Sequence, residues 1–452
     1  MRENKSPWLV KLKQDRKSLK LNQDLDTDIA IIGAGIAGIA TAFFILKNTD
    51  KNVVILEKSR LAYGATGHNA GQVVSYFERG FASLVSEFGL ELAKEGQKAI
   101  EDAWELLDEI YTEASLDINF NRFLGHLGLI SKEQLLIHLE NNLLRKEAGL
   151  NIERIFVAEE FLNSDLLEEK FKDLYIVKSK KEILDILETK SDKFIASISY
   201  QKGCLNSALF SEEVFIYLQK KYKDRISLYE HTPVIKIVLN EENALLDTEK
   251  HLVKAKKIVL CTNGFQNLNI LDKDGLEINT KFHHMINGTV GYMSAYLEKM
   301  DKPPIAISYF VNKNGDTNEP YFYLTRRVFE SDKKENLISV GGPEFENEDS
   351  RFYSRKKEFP EEIENTINNF VKKYYNTIPN DKIDFIFTWH GLMGYTKNKV
   401  RLIGEEPKNK ILLYNLGCNG VGILPSIYGG KRISMLLNNQ KLERSIFDIP
   451  KE

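Results

Sequence analysis

The 452-residue sequence predicts an α/β chain, α+β overall, in which a nucleotide-binding domain alternates with a discontinuous domain built on antiparallel strands. Three observations predict it. Near the start, a short apolar strand runs into a GxGxxG turn and an uncharged helix, and a second strand ending in an acid follows. Strand-like runs among Lys/Glu-rich helical ones then interrupt this pattern, a composition that suggests a separate layer. Near the end, a glycine-rich turn again separates a strand from a helix.

The first unit spans Asp28 to Glu57. Asp28-Ile-Ala-Ile-Ile reads as a strand, Gly33-Ala34-Gly35-Ile36-Ala37-Gly38 as the turn, and Val53-Val-Ile-Leu-Glu57 as the second strand of a Rossmann-like βαβ unit. Gly33 permits the tight turn, Gly35 the approach of a pyrophosphate, and Gly38 close packing of helix on strand. Glu57 closes an otherwise apolar strand, a placement that ribose hydroxyls explain better than packing does. Ile29 to Leu46 is long and uncharged enough to span a membrane, but three glycines fall in its first third and a charged strand follows, so no integral membrane segment is expected.

The 62 basic and 65 acidic residues give no sequence-wide positive field, which argues against nucleic acid as a partner. Cys204, Cys261 and Cys418 are far apart and lack CxxC spacing, so neither a disulfide framework nor a metal site is expected, and a reducing cytoplasm fits. Residues 1–24 read as an exposed basic arm without an export signal, whose apolar anchor is Ser6-Pro7-Trp8-Leu9-Val10.

A Gly-rich loop from Gly64 to Gly71 precedes an amphipathic helix over about Ser83–Glu113, whose apolar positions from Leu84 to Ile110 recur at helical spacing. Residues 25–115, 200–280 and 385–445 are assigned to the nucleotide-binding domain, and 116–199 and 281–384 to the substrate-binding domain. In the return to the first domain, Val234–Leu239 and Lys257–Cys261 read as strands, the second ending in Thr262-Asn263-Gly264, where an open α/β sheet meets its ligand. In the second domain, Val290–Met293, Tyr321–Thr325 and Leu337–Val340 read as strands, the last followed by Gly341-Gly342. Finally Ile411–Tyr414 reads as a strand, Gly417-Cys-Asn-Gly420-Val-Gly422 as a turn whose amides can point at an anion or an electron-rich ring, and a helix follows from near Gly429.

Taken together, these residues resemble the D-amino acid oxidase family of FAD-dependent oxidoreductases, which includes glycine oxidase, sarcosine oxidase and gamma-glutamylputrescine oxidase. The Ser-Pro-Trp-Leu arm, the GAGIAG turn with Glu57, the loop Gly64-Ala-Thr-Gly-His-Asn-Ala-Gly-Gln72, Cys261-Thr-Asn263, Gly291-Tyr-Met293, Gly341-Gly342, Trp389-x-Gly391 and the GCNGVG turn fall in the family's order. The loop is most similar to the gamma-glutamylputrescine oxidase branch, whose version is GASGRNGGQ.

The resemblance implies FAD as cofactor. Gly33, Ala34, Gly35, Ile36, Ala37, Gly38, Glu57 and Lys58 would hold its ADP half, and Val234 would meet the adenine through its backbone. Gly64, Ala65, Thr66, His68, Asn69, Ala70, Gly71 and Gln72 would lie along the pyrophosphate and ring, with Thr262, Asn263 and Gly391 nearby. Gly417, Asn419, Gly420, Val421, Gly422 and Ile423 would follow the pyrimidine edge, where amides can stabilise charge at N1 and O2 on reduction. Two departures leave the substrate open. The branch has arginine where this chain has His68, and the family often has an acid and a proline where this chain has Lys397-Asn-Lys-Val-Arg401. His68 also stands where demethylating dehydrogenases with the similar loop GSTWHAAG carry a histidine bonded covalently to flavin, so it is expected either to form that bond or to hydrogen-bond a phosphate or backbone carbonyl.

The reaction implied is oxidation of the C–N bond of a primary or secondary amine or amino acid to an imine by hydride transfer to flavin N5, with O2 as acceptor. A dehydrogenase passing electrons to a quinone or electron-transfer protein, or a non-catalytic FAD-binding protein, would carry the same motifs. Candidates for the substrate face are His68, His390, Tyr292, Tyr321, Tyr323 and Arg326. Arg326 is included because an arginine pairs well with an amino acid's carboxylate, and strand alternation allows only one of Arg326 and Arg327 to point inward.

Overall fold

The computed structural model describes residues 2–13, 16–164, 167–278, 281–299, 302–311, 321–329, 335–347, 349–375 and 383–451. Parts of the expected 281–384 segment, and its junction with 200–280, lie outside those residues.

Two sheets organise the chain. Among the described residues the first has nine strands, and its centre is the parallel trio Leu252–Leu260, Leu25–Ile32 and Val53–Leu56. Ile29 to Ile32 and Val53 to Leu56 are buried throughout, as apolar runs covered on both faces must be. Asn409–Leu416 continues the parallel set beside Leu252–Leu260, and Ile226–Tyr229 extends it beyond Val53–Leu56. The helix Ile36–Asn48 follows the turn and is buried from Ile36 to Leu46. The uncharged run is thus a strand and a helix of one domain; among the described residues no helix is long and apolar enough to cross a membrane.

Among the described residues the second sheet has ten strands and is mainly antiparallel, nine of them in the order Phe387–Tyr395, Asn287–Lys299, Glu335–Asn347, Phe322–Val328, Ile305–Phe310, Phe120–Leu129, Ala196–Leu205, Arg154–Ala158 and Ile176–Lys178. Its membership departs from the expected segments. Phe387–Tyr395, assigned above to the nucleotide-binding stretch 385–445, pairs antiparallel with Asn287–Lys299 of this sheet. Gln72–Val74 joins it too, through Ala196–Leu205. Composition cannot reveal such crossings, because hydrogen-bond register rather than residue type decides which sheet a connecting strand joins.

Two local expectations also change. The helix expected over Ser83–Glu113 is broken into Phe81–Phe88 and Leu90–Glu113 at Gly89, whose φ of +81° ends the first helix in a left-handed residue. The last helix begins at Ile423 rather than near Gly429, directly after the glycine-rich turn. The N-terminal arm is not exposed at its anchor. Trp8 is fully buried, Lys5 N–H donates to the Thr388 carbonyl at 2.7 Å, and Arg16 pairs with Glu212 at 3.1 Å and with Glu230. An indole of that size gains more from burial than from lying on a surface.

Candidate active site

One cavity of ≈ 410 Å³ is lined from both sheets. At its nucleotide end lie Gly33, Gly35, Ile36, Ala37, Glu57, Lys58, Val234, Thr262 and Asn263. Gly33 has φ +106°, and a Cβ on Gly38 would stand 1.9 Å from the Gly33 carbonyl oxygen, so both positions demand glycine. The Ile36 amide donates to Thr66 Oγ1 at 2.9 Å. The amides of Gly35 and Ala37, at the same helix start, have no acceptor among the described residues. A helix N-terminus with unpaired donors facing a cavity fits a pyrophosphate.

Glu57 is held in place by its own strand-turn geometry. Its two carboxylate oxygens accept from the amides of Ala34 at 2.9 Å and Ser59 at 2.8 Å, and burial pushes the carboxyl above its usual range. Beside it, the Lys58 ammonium lies 3.8 Å from the centre of the Phe265 ring, and burial pulls it down to about 8.

The loop Gly64–Gln72 forms the cavity's middle. His68 Nδ1 lies 2.9 Å from the Gly64 carbonyl oxygen, and burial pulls the imidazole down to about 4. The ring is therefore neutral at pH 7 with its proton on Nδ1, donated to that carbonyl. The carbonyl of Asn69 accepts from two indoles, Trp8 Nε1 at 2.5 Å and Trp389 Nε1 at 3.2 Å, whose rings meet edge to face at 86°. The arm and the strand Phe387–Tyr395 thus clamp this loop together. Gln72 Nε2 donates to Thr325 Oγ1 at 2.7 Å and ties it to the second sheet.

The glycine-rich turn before the last helix makes the third wall. Gly420, Val421, Gly422 and Ile423 line the cavity, and the amides of Gly420, Gly422 and Ile423 have no acceptor among the described residues. Unpaired amides near both ends of one cavity fit FAD, with its phosphates at one patch and its ring edge at the other. Gly417 and Asn419 do not line the cavity but shape the turn. Gly417 has φ +88°, and Asn419 Oδ1 accepts from the Thr396 amide at 2.8 Å. Ala34 likewise acts from behind, through Glu57.

The far end is lined by Tyr76, Glu78, Ser308, Tyr321, Tyr323, Glu344, Met393 and Tyr395. Strand alternation decides which expected residues reach it. Tyr323 does, filling space left by Gly341, where a Cβ would meet its ring at 2.5 Å. Tyr292, His390 and Arg326 do not. Gly291 and Met293 face the cavity, so Tyr292 falls on the reverse face against Phe345, Phe359 and His390. Gly391 and Met393 likewise put His390 behind the sheet, where Nε2 lies 3.0 Å from the Lys357 carbonyl oxygen. Arg326 is fully buried on that reverse face, in a bidentate pair with Glu188 at 2.6 and 2.7 Å and bonded to Tyr375 Oη at 2.7 Å. Arg327 points the opposite way and lies 4.3 Å from the Trp8 ring centre.

Three charged groups at this end were absent from the sequence expectations. Tyr321 Oη donates to Glu78 Oε1 at 3.0 Å, and burial pushes the Glu78 carboxyl up. Burial and the charge of Glu78 push Glu344 up to about 7. Behind them, the fully buried Lys202 has Nζ 3.4 Å from Gln72 Oε1 and from Ser308 Oγ, and burial pulls its ammonium down to about 7. The logic applied to Glu57, an acid closing an apolar run, also singles out Glu78 after Val73-Val-Ser-Tyr-Phe77.

The comparisons agree with this geometry. Residues 28–436 match the model of the DAO family, FAD dependent oxidoreductase. The chain is 22% identical over 306 residues to the probable oxidoreductase OrdL of Haemophilus influenzae, covering 67% of this chain and 62% of that protein. It is 27% identical over 120 residues to gamma-glutamylputrescine oxidoreductase of Escherichia coli, covering 26% and 28% of the two chains. It therefore spans less than two thirds of either relative. Glycine oxidase from Geobacillus kaustophilus superposes with a TM-score of 0.66 at 15% identity, covering 94% of this chain and 99% of that one, a likeness of fold. With its family model running from the first strand into the last helix, the chain belongs to the DAO family of FAD-dependent oxidoreductases, and FAD is its cofactor.

Proposed function

We propose that the protein oxidises the C–N bond of a primary or secondary amine or amino acid to an imine, with O2 as the electron acceptor. The observation that carries this is the continuity of one cavity from the unpaired amides beside Glu57 to a chamber of tyrosines and carboxylates beyond the glycine-rich turn. Held by the Gly35 and Ala37 amides at one end and by those of Gly420, Gly422 and Ile423 at the other, FAD would supply a hydride acceptor for the carbon that bears nitrogen, and water would hydrolyse the resulting imine.

The chain's own part is positioning. The amides of Gly420, Gly422 and Ile423 would stabilise negative charge at the pyrimidine edge, and the neutral His68 would pack against the ring without adding a charge of its own. Tyr321 and Tyr323 would flank the substrate, and the apolar Met293 and Met393 would limit water at the carbon being oxidised. The amine is bound uncharged, so no strong general base is required.

Anaerobic mixing of the purified holoenzyme with a panel of amines, amino acids and 2-hydroxy acids tests the proposal. Amines or amino acids should bleach the flavin absorbance, and 2-hydroxy acids should leave it unchanged. Bleaching by a hydroxy acid and by no amine would replace C–N with C–O oxidation. Mixing the reduced enzyme with dissolved O2 then checks the acceptor, since an oxidase regains its absorbance on the turnover timescale and a dehydrogenase does so only with a carrier.

A further inference from the structure

We infer that the substrate is a diamine or longer polyamine whose non-reacting ammonium is held between Glu78 and Glu344; this rests on the amine-oxidising function proposed above. Both carboxylates line the same cavity, and each acts electrostatically at its far end, where Glu78 raises the Glu344 carboxyl. Glu78 packs against Gly420 of the glycine-rich turn and is oriented by Tyr321 Oη. Glu344 stands beside Gly291 in the second sheet.

Glu344 is the group that calls for a ligand. Among the described residues it has no hydrogen-bond or ion-pair partner, although it sits in the cavity wall where a lone carboxylate is costly. Burial pushes both carboxyls up, and at Glu344 repulsion from Glu78 adds to this and brings it to about 7, so Glu344 takes up a proton near neutral pH. A cation between them restores both charges and releases that proton. Tyr76, Tyr321, Tyr323 and Tyr395 also line this cavity, and aromatic rings are suited to an ammonium and its methylene chain.

The charges that face this pair do not replace a bound cation. Lys202 acts on Glu78 from behind Gln72 and Ser308, and Lys399 acts on both acids from an exposed position where solvent screens it. The arginines of the cavity are engaged elsewhere. Arg355 bonds the Ser59 hydroxyl at 2.6 Å at the nucleotide end, and Arg401 bonds Asn415 Oδ1 at 2.6 Å and the Gly417 carbonyl at 3.1 Å. With Arg326 on the reverse face, the far end offers, among the described residues, two carboxylates and no free guanidinium to pair an α-carboxylate.

The test is anaerobic stopped-flow reduction of the holoenzyme by 1,4-diaminobutane, spermidine, n-butylamine and glycine. The two polyamines should show an apparent Kd at least about tenfold below that of n-butylamine, the size of one charge-assisted contact. That advantage should shrink as pH falls from 8 to 6, because protons then compete for the acid pair. In Glu344→Gln and Glu78→Gln it should fall by about tenfold, with flavin absorbance reporting that each variant is folded; if either loses flavin, the wild-type comparison decides alone. Equal affinity for n-butylamine and the diamine, or a preference for glycine, overturns the inference and leaves amine oxidation standing. Reduction by none of the four, but by a 2-hydroxy acid, overturns the function on which it rests.

Discussion

The nucleotide end and the substrate end of the same cavity are built by different means. The nucleotide end is made of backbone: a turn that only glycine fits at positions 33 and 38, amides left free at a helix start, and one carboxylate held by two amides. The substrate end is made of side chains drawn from five separated segments, carrying Glu78, Ser308, Tyr323, Glu344 and Tyr395. Backbone sites depend on residues close in sequence and are written as motifs. Side-chain sites depend on register and strand parity, which no short motif carries.

The sharpest way to test the backbone end is Gly35→Val. A Cβ there stands 2.9 Å from Thr66 Oγ1, at the start of the helix whose amides face the cavity. The variant should purify without flavin absorbance; retained absorbance would mean that the pyrophosphate lies elsewhere.

The next largest effect is expected from a residue that strand parity removes from the cavity. Arg326→Ala leaves Glu188 without its bidentate partner and should destabilise the fold by on the order of 3 kcal/mol, read by thermal or denaturant unfolding. A change in amine affinity without loss of stability would put Arg326 back in the cavity.

A smaller effect links His68 to pH. Its pKa in the fold is about 4, below the ordinary 6.5, so the folded state binds fewer protons than the unfolded one between those values. The stability this provides is fully present above about 6.5 and is lost as pH falls towards 4, by roughly 1–3 kcal/mol for this one group. His126 and His284, both also pulled to about 4 by burial, steepen the same slope. His68→Gln should flatten it in part, and an unchanged slope would mean that His68 titrates in the native protein as it does in the unfolded chain.

The same division explains what could be read in advance. The first βαβ unit, the Gly64–Gln72 loop and the final glycine turn were legible because glycine there answers a backbone need that sequence states directly. Tyr323 was legible only as one of several tyrosines, and Tyr292 and His390 were equally good candidates until the register with Gly291 and Gly391 fixed their face. Trp8 was visible as an apolar anchor, but its bond to the Asn69 carbonyl, 61 residues on, was not. Glu344 follows Gly341-Gly342-Pro343 and carries no local signature; only the folded sheet brings it into the cavity that Glu78 also lines.

The most direct measurement of the central claim is the rate of anaerobic flavin bleaching by an amine deuterated at the carbon bearing nitrogen, compared with its ordinary form. If that C–H bond breaks as the flavin is reduced, the deuterated amine should bleach it several-fold more slowly at saturation. Equal rates from a chemical step shown to be rate-limiting, or no bleaching by any amine, would contradict C–N oxidation at this site.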